Sequence, residues 1–150
     1  MIAYPDTSFL YAIYRLQVHS GVATAYLRRL PEALPVSGLL LYEFHQSLRW
    51  QEFLNSRDHR RGISRAARLS LMADLEIDLE SRAVQQVPAD WSAVIKIAER
   101  LSDSFTASVG YRSFDILHVA TALHFGATEF LSFDANQKKL AKSAGLKIPL

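Results

Sequence analysis

Arg112 to Phe125 reads RSFDILHVATALHF, and the fold turns on how that stretch is read. The apolar spacing of Ile116, Leu117, Val119 and Ala120 predicts a helix, ended by Gly126 and capped by Ser113. Near its start stands Asp115. A bare carboxylate among such neighbours is costly unless a hydrogen-bond donor, a base or a metal pairs with it. Three other acids have comparable surroundings: Asp6 in MIAYPDTSFL, Glu43 in GLLLYEFHQSL and Asp134 in EFLSFDANQ. The reading is that Asp6, Glu43, Asp115 and Asp134 converge on one divalent-metal site.

Working outward, short apolar runs followed by longer helical ones recur along the chain. Strands are expected at Ile2 to Pro5, Leu34 to Val36, Ala83 to Val87, Glu129 to Phe133 and Leu146 to Pro149. Helices are expected at Phe9 to Leu16, Gly21 to Leu30 and Leu39 to Phe53, the last capped by Ser37. Further helices are expected from His59 to Glu80, from Trp91 to Ser104 behind an Asp90 cap, and from Asp134 to Gly145, with 106–110 as a loop. Strands separated by helices imply an α/β fold, a parallel sheet of four to five strands flanked by helices on both faces. Without an internal repeat or linker, residues 1–150 read as a single domain.

In an open parallel sheet, ligands gather beyond the carboxyl ends of the strands. Asp6 and Asp134 each follow a strand, Glu43 lies about two turns into the helix after the second strand, and Asp115 is in the first turn of its own helix. Clustered carboxylates repel. Mg2+ or Mn2+ relieves that repulsion, because hard cations prefer carboxylate and water oxygens. Each acid also has a plainer explanation. Asp134 with Gln137 fits a capping box, Asp115 would gain from the helix dipole, Asp6 could cap the first helix, and Glu43 could belong to a wet stripe with Gln46 and Ser47.

Composition narrows the classes. The 150 residues are 49% apolar and 21% charged, an ordinary globular balance. A net charge of +2 gives no strong whole-molecule field, so nucleic-acid binding would need a local patch. The chain has no cysteine, which excludes disulfides, thiolate zinc sites and cysteine catalysis. No apolar run approaches the ~20 residues of a membrane span. Asp6 interrupts the apolar N-terminus and no basic region precedes it, so no signal peptide is expected and a cytoplasmic location is.

Four marks in order, DTSFL after the first strand, the YEF acid, RSFDILHVATA, and FLSFDANQKKLAKSAGL, make essentially the whole chain resemble the PIN-domain proteins, specifically VapC-type toxin ribonucleases of type II toxin–antitoxin systems. The resemblance implies a PIN fold, dependence on Mg2+ or Mn2+, cleavage of single-stranded RNA, homodimerisation and inhibition by a cognate antitoxin. The family's acidic cluster maps onto Asp6, Glu43, Asp115 and Asp134, and its hydroxyl after the first acid onto Ser8, with Thr7 beside it. Two alternatives share the pattern: a structure-specific DNA nuclease, for whose usual insertions this compact chain leaves little room, and a degenerate PIN-like module that only binds. A phosphoaspartyl phosphatase would want a second acid where Ser8 stands.

Further residues are candidates for RNA contact. Between Arg57 and Glu80, arginines (Arg57, Arg60, Arg61, Arg65, Arg68) precede acids (Asp74, Glu76, Asp78, Glu80), opposite to what the macrodipole favours. Arg61, Arg65 and Arg68 are therefore candidates for phosphate contact, against the alternative of a solvated face. Arg112 could bind phosphate or pair with Asp115. His118, one turn after Asp115, reads first as a hydrogen-bonded helix residue. Trp50 and Trp91 read as core or interface residues.

Overall fold

The computed structural model describes residues 2–150. In chain order the elements are β1 (Ala3–Pro5), α1 (Thr7–Tyr14), α2 (Ser20–Leu27), β2 (Leu34–Val36), α3 (Gly38–Arg57) and α4 (Arg65–Glu80). Then follow β3 (Val84–Gln86), α5 (Trp91–Val109), α6 (Ser113–His124), β4 (Glu129–Leu131) and α7 (Ala135–Ser143). The strands form two parallel pairs. β1 lies on β4 with Ala3 opposite Glu129 and Pro5 opposite Leu131, and β2 lies on β3 with Leu34 opposite Val84. The pairs stand side by side through β1 and β2, where the Tyr4 hydroxyl and Ser37 Oγ are 2.7 Å apart. The expected last strand is reduced to one bridge, Lys147 to Glu129.

All three residues of β1 and of β4 are buried, which is why both read as short unbroken apolar runs. Tyr4, Phe9, Phe44 and Phe130 form the aromatic centre of the core with Leu10, Leu34, Leu40 and Leu48, all fully buried. Each such side chain contributes about 1.5–3 kcal/mol of burial free energy. α6 lies along α5 and also meets α7. Its buried face, Ile116, Val119, Ala120 and Ala122, is the apolar pattern of the opening stretch.

Local chemistry moves several boundaries. α5 continues to Val109 through the expected loop at 106–110 and stops at Gly110, whose φ of 79° admits the left-handed turn and whose N–H donates to the Thr106 carbonyl. α4 starts at Arg65, not His59, because Ser64 caps it through a 3.1 Å bond from the Ala67 N–H. Ahead of Ser64, Gly62 sits at φ 69°, so close to α3 that a Cβ there would lie 1.9 Å from the Gln51 carbonyl oxygen. α6 is capped at Arg112 rather than Ser113, and the acceptor is Asp115. Trp50 and Trp91 lie outside the core, 54% and 42% exposed; Trp50 stacks on Phe53 along α3.

Candidate active site

Register builds the first half of the site. Because Pro5 is opposite Leu131, the residues leaving the two strands, Asp6 and Ser132, emerge side by side. The Asp6 N–H donates to the Leu131 carbonyl at 2.9 Å. Its carboxylate is buried, and three donors fix it. Oδ1 accepts from the Phe9 N–H at 3.0 Å, as the N-cap of α1, and from Ser8 Oγ at 2.6 Å. Oδ2 accepts from Ser132 Oγ at 2.5 Å. Burial pushes the Asp6 carboxyl above its usual range, against the pull of the two hydroxyls, the Phe9 N–H and the His118 ring.

Ser132 also accepts from the Asp134 N–H at 2.9 Å, which ties the second acid to the first. Asp134 is the N-cap of α7, its Oδ1 accepting from the Gln137 N–H at 2.8 Å. The Gln137 side chain turns the other way and donates to Asp115 Oδ1 at 3.3 Å. Asp115 Oδ2 in turn faces the Arg112 N–H at 3.4 Å. Half-burial raises the Asp115 pKa, and the negative charges of Asp134 and Glu43 add to the rise, outweighing the Arg112 N–H and guanidinium.

Glu43 arrives from α3. Its Oε2 receives both Thr7 Oγ1 and His118 Nε2, the latter at 2.6 Å. Burial would raise Glu43, but the hydrogen bond and charge of His118, helped by Thr7, hold it below its usual value. The His118 ring is completely buried, and its Nδ1 has no partner among the described residues.

Thus Asp6, Glu43, Asp115 and Asp134, from four separate segments, form one connected neighbourhood with Ser8 and Thr7. Among the described residues, no three His, Asp or Glu side chains sit close enough to share one ion as they stand. Protein donors hold each carboxylate. The donor chemistry nonetheless suits a hard divalent cation, since all four are carboxylates.

Ser132 and the side-chain role of Gln137 escaped the sequence reading. Ser132 and Gln137 act through hydrogen bonds between distant segments, which leave no periodic trace. His118, read from the sequence as a hydrogen-bonded helix residue, is one, and its partner is Glu43.

The arginines divide. Arg61, Arg65 and Arg112 are exposed. Arg68 is not open to a phosphate: its guanidinium pairs with Glu52 across α3 and α4 and lies 3.1 Å from Met72 Sδ, leaving the Arg68 side chain 14% exposed.

Comparison with known proteins agrees with this architecture. The family model described as PIN domain matches residues 3–143. No curated protein matches the chain. VapBC2 from Rickettsia felis, solved bound to a DNA fragment from its promoter, superposes with a TM-score of 0.71 at 14% identity, over 99% of this chain and 97% of that one. FitAcB from Neisseria gonorrhoeae gives 0.69 at 19% identity, over 99% and 96%. VapC20 of Mycobacterium tuberculosis, a toxin that cleaves the sarcin-ricin loop, gives 0.62 at 18% identity, over 97% and 96%. At these identities the likeness is one of fold.

Proposed function

The chain belongs to the PIN-domain family, and on that premise we propose that it is a VapC-type endoribonuclease. It hydrolyses a phosphodiester bond of single-stranded RNA with Mg2+ or Mn2+, acts in the cytoplasm as a homodimer, and is restrained by a cognate antitoxin. The observation that carries the proposal is the hydrogen-bonded line from Asp6 through Ser132, Asp134 and Gln137 to Asp115, with Glu43 bonded to Thr7 and His118 beside it. An RNA substrate gains support from VapC20, a sarcin-ricin-loop-cleaving toxin of the same fold.

The four carboxylates would hold the metal. When bound, a divalent ion supplies countercharge, lowers the pKa of a coordinated water and grips a phosphate oxygen. The chain's own residues do the positioning. Ser8 and Ser132 lock the Asp6 carboxylate in place. Thr7 and His118 hold Glu43 ionised through one oxygen. Gln137 joins Asp115 on α6 to the α7 cap at Asp134. Such locking matters because a carboxylate displaced by about 1 Å can cost ~100-fold in rate.

The test is direct. Purified full-length chain incubated with a single-stranded oligoribonucleotide should cut it in Mg2+ or Mn2+ and stop in EDTA. Full cleavage in excess chelator would overturn the metal-dependent reading. Cleavage of branched or duplex DNA with RNA left intact would overturn the ribonuclease reading.

A further inference from the structure

Beside the acids lies an aromatic stack that the hydrolytic chemistry does not use. The His19 imidazole lies flat on Phe133, with centroids 4.3 Å apart and planes 4° apart. Phe133 in turn stacks on buried Phe9 at 6.1 Å and 13°, and the Lys138 ammonium sits 5.8 Å from its ring centre. The Phe133 backbone is fixed as well, its N–H donating to Ser8 Oγ at 2.8 Å, the same oxygen that donates to Asp6. The stack therefore rests on the core at one end and on the acidic site at its side.

At its outer end, His19 is exposed and makes no side-chain cap for α2, although it occupies the N-cap position. An open pocket of about 320 Å3 is lined by Ser8, Tyr11, Gln17, His19, Phe133 and Asp134. That volume is near the lower end of those that take small flat ligands. It joins the aromatic stack to two residues of the acidic neighbourhood, Ser8 and Asp134.

We propose that His19, backed by Phe133, is a stacking platform for one unpaired nucleobase of the RNA next to the scissile phosphate, and that Gln17 reads that base's edge. The inference rests on the ribonuclease reading given above. Single-stranded RNA is recognised by splaying a base onto a flat π-surface and hydrogen-bonding its edge. The imidazole, already held flat, supplies the first. Gln17, exposed in the same pocket, carries an amide with both donors and an acceptor, which supplies the second. The platform adds a base contact beside carboxylates that, before an ion binds, repel an RNA backbone.

The experiment uses the full chain, Mn2+ and a set of oligoribonucleotides that carry a single abasic residue at successive positions around the cut bond. In the parent, an abasic residue at one position should raise KM by about tenfold, the loss of one stacked base, with kcat unchanged. His19→Ala should show the same raised KM on the intact oligonucleotide and no further penalty from the abasic residue. His19→Phe should restore the parent KM, which a purely structural role for the imidazole would not predict. Gln17→Ala should alter which base is preferred at that position. If His19→Ala keeps the parent KM while the parent cuts RNA, the platform alone is overturned. If the parent cuts no RNA in Mn2+, the ribonuclease reading falls and the platform with it.

Discussion

The carboxylate neighbourhood and the α3–α4 arm are both rich in charge, yet they hold it differently. At the neighbourhood three of the four acids are met by donors from remote segments: Asp6 by Ser132, Glu43 by His118, Asp115 by Gln137. On the arm most charges are solvated, and only Leu75 of α4 is buried. Leu69 and Ile77 are exposed there at 51% and 60%. Arg68, a shielded arm charge, is satisfied by its neighbouring helix. The difference teaches that a charge among apolar residues marks a shared site when its partners come from far along the chain. When they come from the adjacent helix, it marks packing.

The sharpest way to break the comparison is Asp6→Ala. That change removes the acceptor of two hydroxyls and one backbone N–H inside the core, and it removes the α1 cap. Each unsatisfied buried donor costs about 1–3 kcal/mol and the cap about 0.5–2 kcal/mol. Losing the buried carboxylate returns part of this, because its desolvation was unfavourable. The expected net is a loss of about 2 kcal/mol in urea melts, together with loss of cleavage. A variant as stable as the parent would show that Ser8 and Ser132 find other partners and that Asp6 is not the anchor of the neighbourhood.

The arm gives the second test, by splitting its arginines. Arg61→Gln and Arg65→Gln should leave melting unchanged. Each should flatten the salt dependence of RNA binding by about one unit of slope, as expected when one phosphate contact is lost. Arg68→Gln should do the opposite. It should keep the slope and cost about 1 kcal/mol, the upper end for a partly exposed ion pair. If Arg68→Gln flattens the slope and spares stability, the pair with Glu52 yields to RNA and the arm belongs to the binding surface.

How much of this was legible in the sequence follows the same division. The order of strands and helices, the Ser37, Asp90 and Asp134 caps, and the four acids at strand ends or in the helices beside them were readable, because apolar period and cap chemistry are local signals. The start of α4 was not. Its apolar stripe runs back to Ile63, which is buried but sits in the turn and donates to the Gln51 carbonyl at 3.2 Å. Burial without helix looks periodic from sequence alone. The end of α5 was missed for the opposite reason: Thr106 and Ser108 resemble loop residues, while the signal that decides is Gly110 beyond them. Within the site, Asp115 was legible as a carboxylate among apolar residues. Its partner Gln137 was not, since the Asp134–Gln137 spacing announces only a cap, and that cap uses the Gln137 backbone.

The smallest expected effect decides the most about Asp115, because both explanations of this residue have a physical basis in the structure. It stands in the first turn of α6, where an acid gains about 0.3–1 kcal/mol from the helix dipole. It also faces the charges of Asp134 and Glu43, which with burial raise its pKa above 3.8. A raised folded-state pKa means that the group's contribution to stability is fully present below its unfolded value and is lost as pH rises through the folded one. At neutral pH, Asp115→Asn removes that repulsion and loses the dipole gain. Its side-chain oxygen can still accept the 3.4 Å bond from the Arg112 N–H. With the half-exposed carboxylate screened by solvent, the two effects nearly cancel, and the apo variant should melt within about 1 kcal/mol of the parent. The pH dependence separates them. Relative to the parent, Asp115→Asn should do better at pH 7 than at a pH below about 3.8, the unfolded carboxyl value. Cleavage should be abolished, and most of the thermal shift that Mn2+ gives the parent should vanish, since ligand stabilisation follows affinity for the native state. A variant that is destabilised at neutral pH, still cuts RNA and still responds to Mn2+ would leave Asp115 as a helix cap only and reduce the candidate site to three acids.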